Sequence, residues 1–161
     1  MILIALGSNI DGPWGNSSET VAQALTELNR DPLRLIKASR PLLTAPFGKP
    51  DQPPYVNGVA QIETLLSPGK LLQRLHAIEK AAGRERAERW GPRTLDLDII
   101  DYDGLVLAEQ GLTLPHPGIA ERIFVLKPIA EIEPGWRHPL TQKSAREMLD
   151  LLNGVAEGQE I

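Results

Sequence analysis

Strand-like and helix-like segments alternate through the first part of the chain in the order β, α, β, β, α, β, and no other feature constrains its fold as tightly. The run Ile2 to Leu6, closed by Gly7-Ser8-Asn9, reads as a buried central strand entering a turn. From Asn16 or Ser17 to Asn29, Val21, Ala24, Leu25 and Leu28 recur at helical spacing behind residues able to cap. Leu33 to Leu43 and Tyr55 to Leu65 are β-like, with a proline-stiffened loop between them. A second helix is signalled by Ser67 as cap, Pro68 at the first helical position, the stripe Leu71, Leu72, Leu75 and Ile78, and Gly83 as the stop. Leu95 to Tyr102 reads as a strand, and Asp103-Gly104 as a hairpin turn leading into Leu105 to Leu107. Helical patterns come next at Ile123 to Glu131, interrupted by Pro128, and at Ser144 to Asn153. The order predicts an α+β sandwich, helices packed on a largely antiparallel sheet.

With 161 residues there is room for one compact domain and no second one. The absence of cysteine removes disulfides, thiolate zinc sites and a catalytic thiol. A formal charge of −4 argues against a surface that grips nucleic acid over its whole extent. The apolar residues ahead of Gly7 are too few for a signal-peptide core or a membrane span, so a soluble cytoplasmic protein without a membrane partner is expected.

Chemistry concentrates between Arg84 and Ile100. Four of the eleven arginines, Arg84, Arg86, Arg89 and Arg93, fall in one short loop of an otherwise acidic chain. Guanidinium forks match phosphate oxygens, which makes the loop a candidate polyphosphate clamp. A solvated loop in which Glu85 and Glu88 pair with their neighbours is the alternative, and the loop alone does not choose between them. Next, Asp96 and Asp98 alternate with Leu95, Leu97 and Ile99. Period-two geometry puts both carboxylates on one side, with Cα atoms about 6.5 to 7 Å apart. Such a pair suits Mg²⁺, which takes one or two carboxylates and completes its shell from substrate phosphates. An ordinary wet sheet face is the competing reading; it is disfavoured because Ile100 and Tyr102 are expected on the carboxylates' side. Arginines with acid-bound Mg²⁺ are the parts of a phosphoryl-type transfer run by positioning and electrostatics. The glycine-rich loops of P-loop enzymes and protein kinases are absent.

The run Arg89-Trp90-Gly91-Pro92-Arg93-Thr94-Leu95-Asp96-Leu97-Asp98-Ile99-Ile100 closely resembles the signature of the 6-hydroxymethyl-7,8-dihydropterin pyrophosphokinases of the folate pathway. The likeness extends through Ala5-Leu6-Gly7-Ser8-Asn9, Thr44-Ala45-Pro46, Gln52-Pro53-Pro54-Tyr55-Val56-Asn57 and Leu114-Pro115-His116-Pro117, with Arg122 and Phe124 beyond. It implies a single pyrophosphokinase domain over residues 1–161 with a ferredoxin-like fold, acting as a monomer. The implied reaction moves the terminal pyrophosphoryl group of ATP to the pterin hydroxymethyl oxygen and releases AMP. By resemblance, Asp96 and Asp98 bind two Mg²⁺ ions and share the catalytic role with Arg84 and Arg93. The nucleotide side comprises Glu79, Arg86, Arg89, Trp90, Ile99, Thr113, His116 and Arg122. Thr44, Ala45, Phe47, Tyr55, Asn57, Trp90 and Phe124 make the pterin pocket. The chain departs from the family pattern at His76, Gly111 and Pro117, and in the spacing of Arg86 and Arg89.

These assignments agree with the residues' chemistry. Tyr55 and Phe124 offer faces to a flat bicyclic ring, and Asn57 has the donor and acceptors that an aminopyrimidinone edge needs. Taken alone, the two aromatics read as core. Alone, too, His116 reads as a surface imidazole and Glu79 as a solvated helix face. Two rivals bear on function. A single-strand RNA-binding module is opposed by the few aromatics, the negative charge and the lack of an RNP-type run, and a catalytically silent pterin or nucleotide sensor by the intact aspartate pair.

Overall fold

The computed structural model describes residues 1–44, 54–84, 94–109 and 111–153. Its centre is an antiparallel sheet of β1 (Ile2–Ser8), β2 (Leu33–Ala38), β4 (Tyr55–Thr64) and β5 (Asp96–Tyr102) in the order β2-β4-β1-β5. A short β3 (Leu42–Thr44) pairs with the beginning of β4. Helices α1 (Ser17–Glu27) and α2 (Pro68–Ala81) each connect one strand to another two positions along the sheet, which is the ferredoxin-like order. Both helices start as their sequences predict. Asn16 forms a capping box with Glu19, and Ser67 caps α2 ahead of Pro68.

The sheet is covered on both sides. Ile2, Ile4, Leu6, Leu97 and Ile99 face α1 and α2 and pack with Ala24, Leu28, Leu71, Leu75 and Ile78. Leu3, Ala5, Val59 and Ile100 face the other way, against α3 (Ile123–Ile132) and α4 (Ala145–Asn153). Each large side chain fully removed from water here contributes about 1.5–3 kcal/mol, so the two cores lock the sheet between helix layers. No helix among the described residues is long and apolar enough to cross a membrane.

Four local readings need correction. Leu33 to Leu43 is two strands, because the chain leaves the ladder at Ser39, whose hydroxyl accepts from the Val59 amide, and re-enters after Pro41. Asp103-Gly104 does form a tight turn with positive φ at both residues, 53° and 74°. The segment beyond that turn is not a partner for β5: β6 (Leu107–Glu109) pairs instead with β7 (Leu112–Leu114). Helix α3 runs through Pro128 without a break: the one bond from position 128 to the Phe124 carbonyl is lost, and burial of Val125, Leu126, Ile129 and Ile132 holds the helix in place.

The fourth concerns β5. Ile4 pairs with Ile99 but Leu3 pairs with Asp101, leaving Ile100 as a β-bulge. The extra residue puts both Ile100 and Asp101 on the α3–α4 side, where Trp136 Nε1 donates to Asp101 Oδ2 at 2.8 Å. Tyr102 is thereby thrown to the α1–α2 side, and its hydroxyl donates to the Leu66 carbonyl. It does not share a face with Asp96 and Asp98.

Candidate active site

Strand register builds the site. Gly7 at the end of β1 pairs with Asp96 on one side and Asn57 on the other, and Ala5 pairs with Asp98. Asp96 and the amide therefore stand in one cross-strand row with a glycine between them, and Asp98 stands in the neighbouring row of the same face. A Cβ on Gly7 would lie 2.9 Å from Asn57 Oδ1, so the strand carries glycine where the row needs room. The row floors a cavity of about 480 Å³ on the α3–α4 side of the sheet. Arg122, Phe124 and Val125, from the start of α3, line one side; Leu72, His76 and Glu79 of α2, at the β5 edge, line another.

On the amide side, Asn57 Nδ2 donates to Thr44 Oγ1 at 2.6 Å, and both residues are buried. The bond orients the amide, leaving its oxygen and second N–H for a ligand edge. Tyr55 and Phe124 line the same cavity, and the Arg122 guanidinium lies 5.9 Å from the Phe124 ring centroid.

On the acid side, Glu79 is not the solvated residue its helical position suggests; it is 2% exposed. Its Oε2 accepts from the Leu97 amide at 2.8 Å, satisfying an outward donor of edge strand β5 between the two aspartates. Arg84 Nη1 donates to Glu79 Oε2 and, at 2.7 Å, to Asp96 Oδ1. Burial and the neighbouring Asp96 carboxylate push Asp98 up to about 7; Glu79 adds to this, while Arg122 and Arg84 oppose it. Burial, helped by Arg122 and opposed by Asp96, holds His116 down to about 4. The imidazole is thus neutral at physiological pH. Its Nδ1 accepts from the Gly118 amide at 3.0 Å, which leaves the proton on Nε2 as a donor.

These oxygen donors fit a hard divalent cation. Asp96 and Asp98 share a face on one strand, and Asp98 is displaced upward first by burial and then by the Asp96 carboxylate beside it. No cluster of three or more His, Asp or Glu suited to a metal occurs among the described residues.

Of the residues anticipated from sequence, Thr44, Tyr55, Asn57, Glu79, Arg84, Asp96, Asp98, His116, Arg122 and Phe124 all line the cavity. Two stand elsewhere. The Ile99 side chain is in the core on the opposite face, and the Thr113 side chain is exposed on β7. Ala45, Phe47, Arg86, Arg89, Trp90 and Arg93 lie outside the described residues. Leu72 is legible in the sequence only as part of an apolar stripe, yet it is half-buried at the cavity wall. Its signal is its place one turn before His76 and two before Glu79 on α2.

Residues 3–134 match the family model described as 7,8-dihydro-6-hydroxymethylpterin-pyrophosphokinase. The chain is 38% identical over 154 residues to the 2-amino-4-hydroxy-6-hydroxymethyldihydropteridine pyrophosphokinase of Synechocystis sp., covering 96% of this chain and 77% of that protein. Its likeness to the Haemophilus influenzae protein of the same name is 44% over 129 residues, 80% of this chain and 79% of the other. The folic acid synthesis protein fol1 of Schizosaccharomyces pombe is 39% identical over 150 residues, 92% of this chain but 20% of that longer protein. Among solved structures, an HPPK-DHPS in complex with substrates superposes with a TM-score of 0.71 at 12% identity, over 95% of this chain and 43% of that one. That last likeness concerns the fold.

Proposed function

The chain belongs to the 7,8-dihydro-6-hydroxymethylpterin-pyrophosphokinase family, and from that premise we propose how its own residues divide the work of moving pyrophosphate from ATP to the hydroxymethyl group of the dihydropterin in folate biosynthesis. The observation that carries the division is the row Asp96–Gly7–Asn57, which joins one acid of a metal-type pair to a pterin-type amide across a single strand.

Asn57, held by Thr44, reads the aminopyrimidinone edge, and Tyr55 and Phe124 take the ring faces. The hydroxymethyl group then points along the row toward Asp96 and Asp98, which would hold Mg²⁺, two ions on the family pattern. A cation held there would supply charge neutralisation for the triphosphate oxygens and a lowered pKa for the acceptor hydroxyl. Arg122, beside the ring, and neutral His116, through its Nε2 proton, donate to the phosphate chain. Arg84 and Arg93 stabilise the charge that develops during transfer. Arg86, Arg89 and Trp90 complete the nucleotide side, as the family resemblance implies. The whole chain acts as one pyrophosphokinase domain and as a monomer.

Product analysis tests the reading. With ATP, Mg²⁺ and 6-hydroxymethyl-7,8-dihydropterin, AMP and the pterin diphosphate should accumulate together; ADP as the sole nucleotide product refutes pyrophosphoryl transfer. Asp98→Ala should remain folded and inactive. Activity within about tenfold of the parent, roughly 1.4 kcal/mol of barrier, removes Asp98 from the metal site.

A further inference from the structure

Arg84 occupies an unusual position for a phosphate ligand. Its side chain is 8% exposed, and one nitrogen, Nη1, serves two carboxylates: Glu79, 3% exposed, and Asp96, 27% exposed. Its Nε–H is buried and finds no acceptor among the described residues. Asp96 is also one of the two acids read as metal ligands. A divalent cation on Asp96 and the guanidinium on the same carboxylate repel each other and compete for the same oxygens. Glu79 is deeper, and through the Leu97 amide it is fixed to the strand that carries both aspartates.

We propose that Arg84 is a place-holding cation on Asp96, tethered by Glu79, which the incoming metal displaces and so releases toward the triphosphate. The inference rests on Asp96 and Asp98 holding the metal. It gives Glu79 a positioning role: it keeps the guanidinium within reach of the site after Asp96 has let go, so that release is a short pivot and the buried cation never loses its counter-charge. Metal and nucleotide binding are thereby coupled through one side chain, since whatever draws Arg84 off Asp96 favours the other ligand reciprocally.

The two ends of the bridge predict opposite signs. Arg84→Gln removes the competitor, and Mn²⁺, used as a paramagnetic stand-in for Mg²⁺, should bind about tenfold more tightly in the absence of nucleotide. Glu79→Gln retains an acceptor for the Leu97 amide but takes away the second anion, so Arg84 rests on Asp96 alone and Mn²⁺ should bind several-fold more weakly. A non-hydrolysable ATP analogue should tighten Mn²⁺ binding to the parent chain by a larger factor than it does to Arg84→Gln. Electron paramagnetic resonance titration of free Mn²⁺ reads all three, and circular dichroism establishes that each variant is folded. Should Arg84→Gln not fold, the sign of the Glu79→Gln effect decides. Mn²⁺ binding by the parent chain with Arg84→Gln unchanged or weaker, or with Glu79→Gln unchanged or tighter, overturns the place-holder role alone. A parent chain that takes up no Mn²⁺, with or without the analogue, overturns the metal assignment and this inference with it.

Discussion

Replacing Asp98 with asparagine should make the metal-free protein more stable, by a margin that grows as pH rises above about 4. The carboxyl is displaced from 3.8 to about 7 in the folded chain, chiefly by burial and by Asp96. A group whose folded pKa is raised contributes a penalty that is absent below its unfolded value, grows between the two values and is complete above the folded one. A displacement of that size corresponds to a ceiling of about 4 kcal/mol. Asp98 is half-buried, and solvent screening reduces the figure to about 2 kcal/mol. Asparagine has nearly the same shape and no charge, so it removes the penalty without opening a cavity.

Urea unfolding in EDTA at pH 4.5, 6 and 8 measures the effect. For a chain of this size, with m near 2 kcal/mol/M, the midpoint of Asp98→Asn should exceed that of the parent by roughly 1 M at pH 8 and by about half as much at pH 4.5, since that pH already lies above the unfolded value. Mg²⁺ should close the gap at pH 8 by stabilising the parent alone, because binding to the native state adds RT ln(1 + [Mg²⁺]/Kd). A midpoint difference that is the same at all three pH values, or parent and variant that coincide at pH 8, refutes the reasoning: the carboxylate would then cost the fold nothing.

The same geometry sets three further outcomes. Gly7→Ala places a methyl 2.9 Å from Asn57 Oδ1; it should cost about 1–3 kcal/mol in thermal or urea unfolding and raise the KM for the pterin more than that for ATP. His116, held down to about 4, contributes stability that is full above about 6.5 and is lost as pH falls through 4; His116→Gln should therefore lose about 1–2 kcal/mol less than the parent between pH 7 and pH 4, read by urea melts. Phe124→Ala should weaken pterin binding by about 1–2 kcal/mol in calorimetry, since it removes one ring face and the surface that Arg122 lies over.

Much of this architecture is legible in the chain because local and global signals agree. Asn16, Ser67, Pro68 and the apolar stripe of α2 set helix boundaries by short-range chemistry, and a strand as apolar as Ile2 to Leu6 belongs at a sheet centre. Asp96 and Asp98 share a face by the two-residue period alone. The failures arise where a partner distant in sequence decides. The β5 bulge depends on how Leu3 and Ile4 meet that strand, and neither residue bears any mark of it. Glu79 reads as a solvent-facing acid because a helix pattern records spacing and not what lies across the groove; its partners are a backbone amide 18 residues away and an arginine beyond the helix end. Ile99 directly follows Asp98 in sequence yet faces the other core, by the same alternation that brings the acids together.

These failures concentrate at the acid end of the row, and there is a physical reason. A sheet end with two aspartates, a buried glutamate and their arginine is poor as structure: burial costs each ion solvation, and opposite charges recover it only through specific bonds. Such groups are invisible to hydrophobic patterning, which ranks positions by how well they serve a core. The pterin end needs no such arrangement, since Tyr55, Phe124 and the Asn57–Thr44 bond are compatible with ordinary packing. On the proposed reading the electrostatic strain lies on the side of the cavity where a cation and a polyphosphate would relieve it, and Asp98→Asn and Arg84→Gln perturb it from its anionic and cationic halves. If the strain serves binding, the first variant should gain stability and lose metal, while the second should gain metal and lose stability, because the buried Glu79 loses its ion pair with Arg84. Parallel losses of both properties in both variants would mean that the charges hold the fold together and that the cavity merely inherits them.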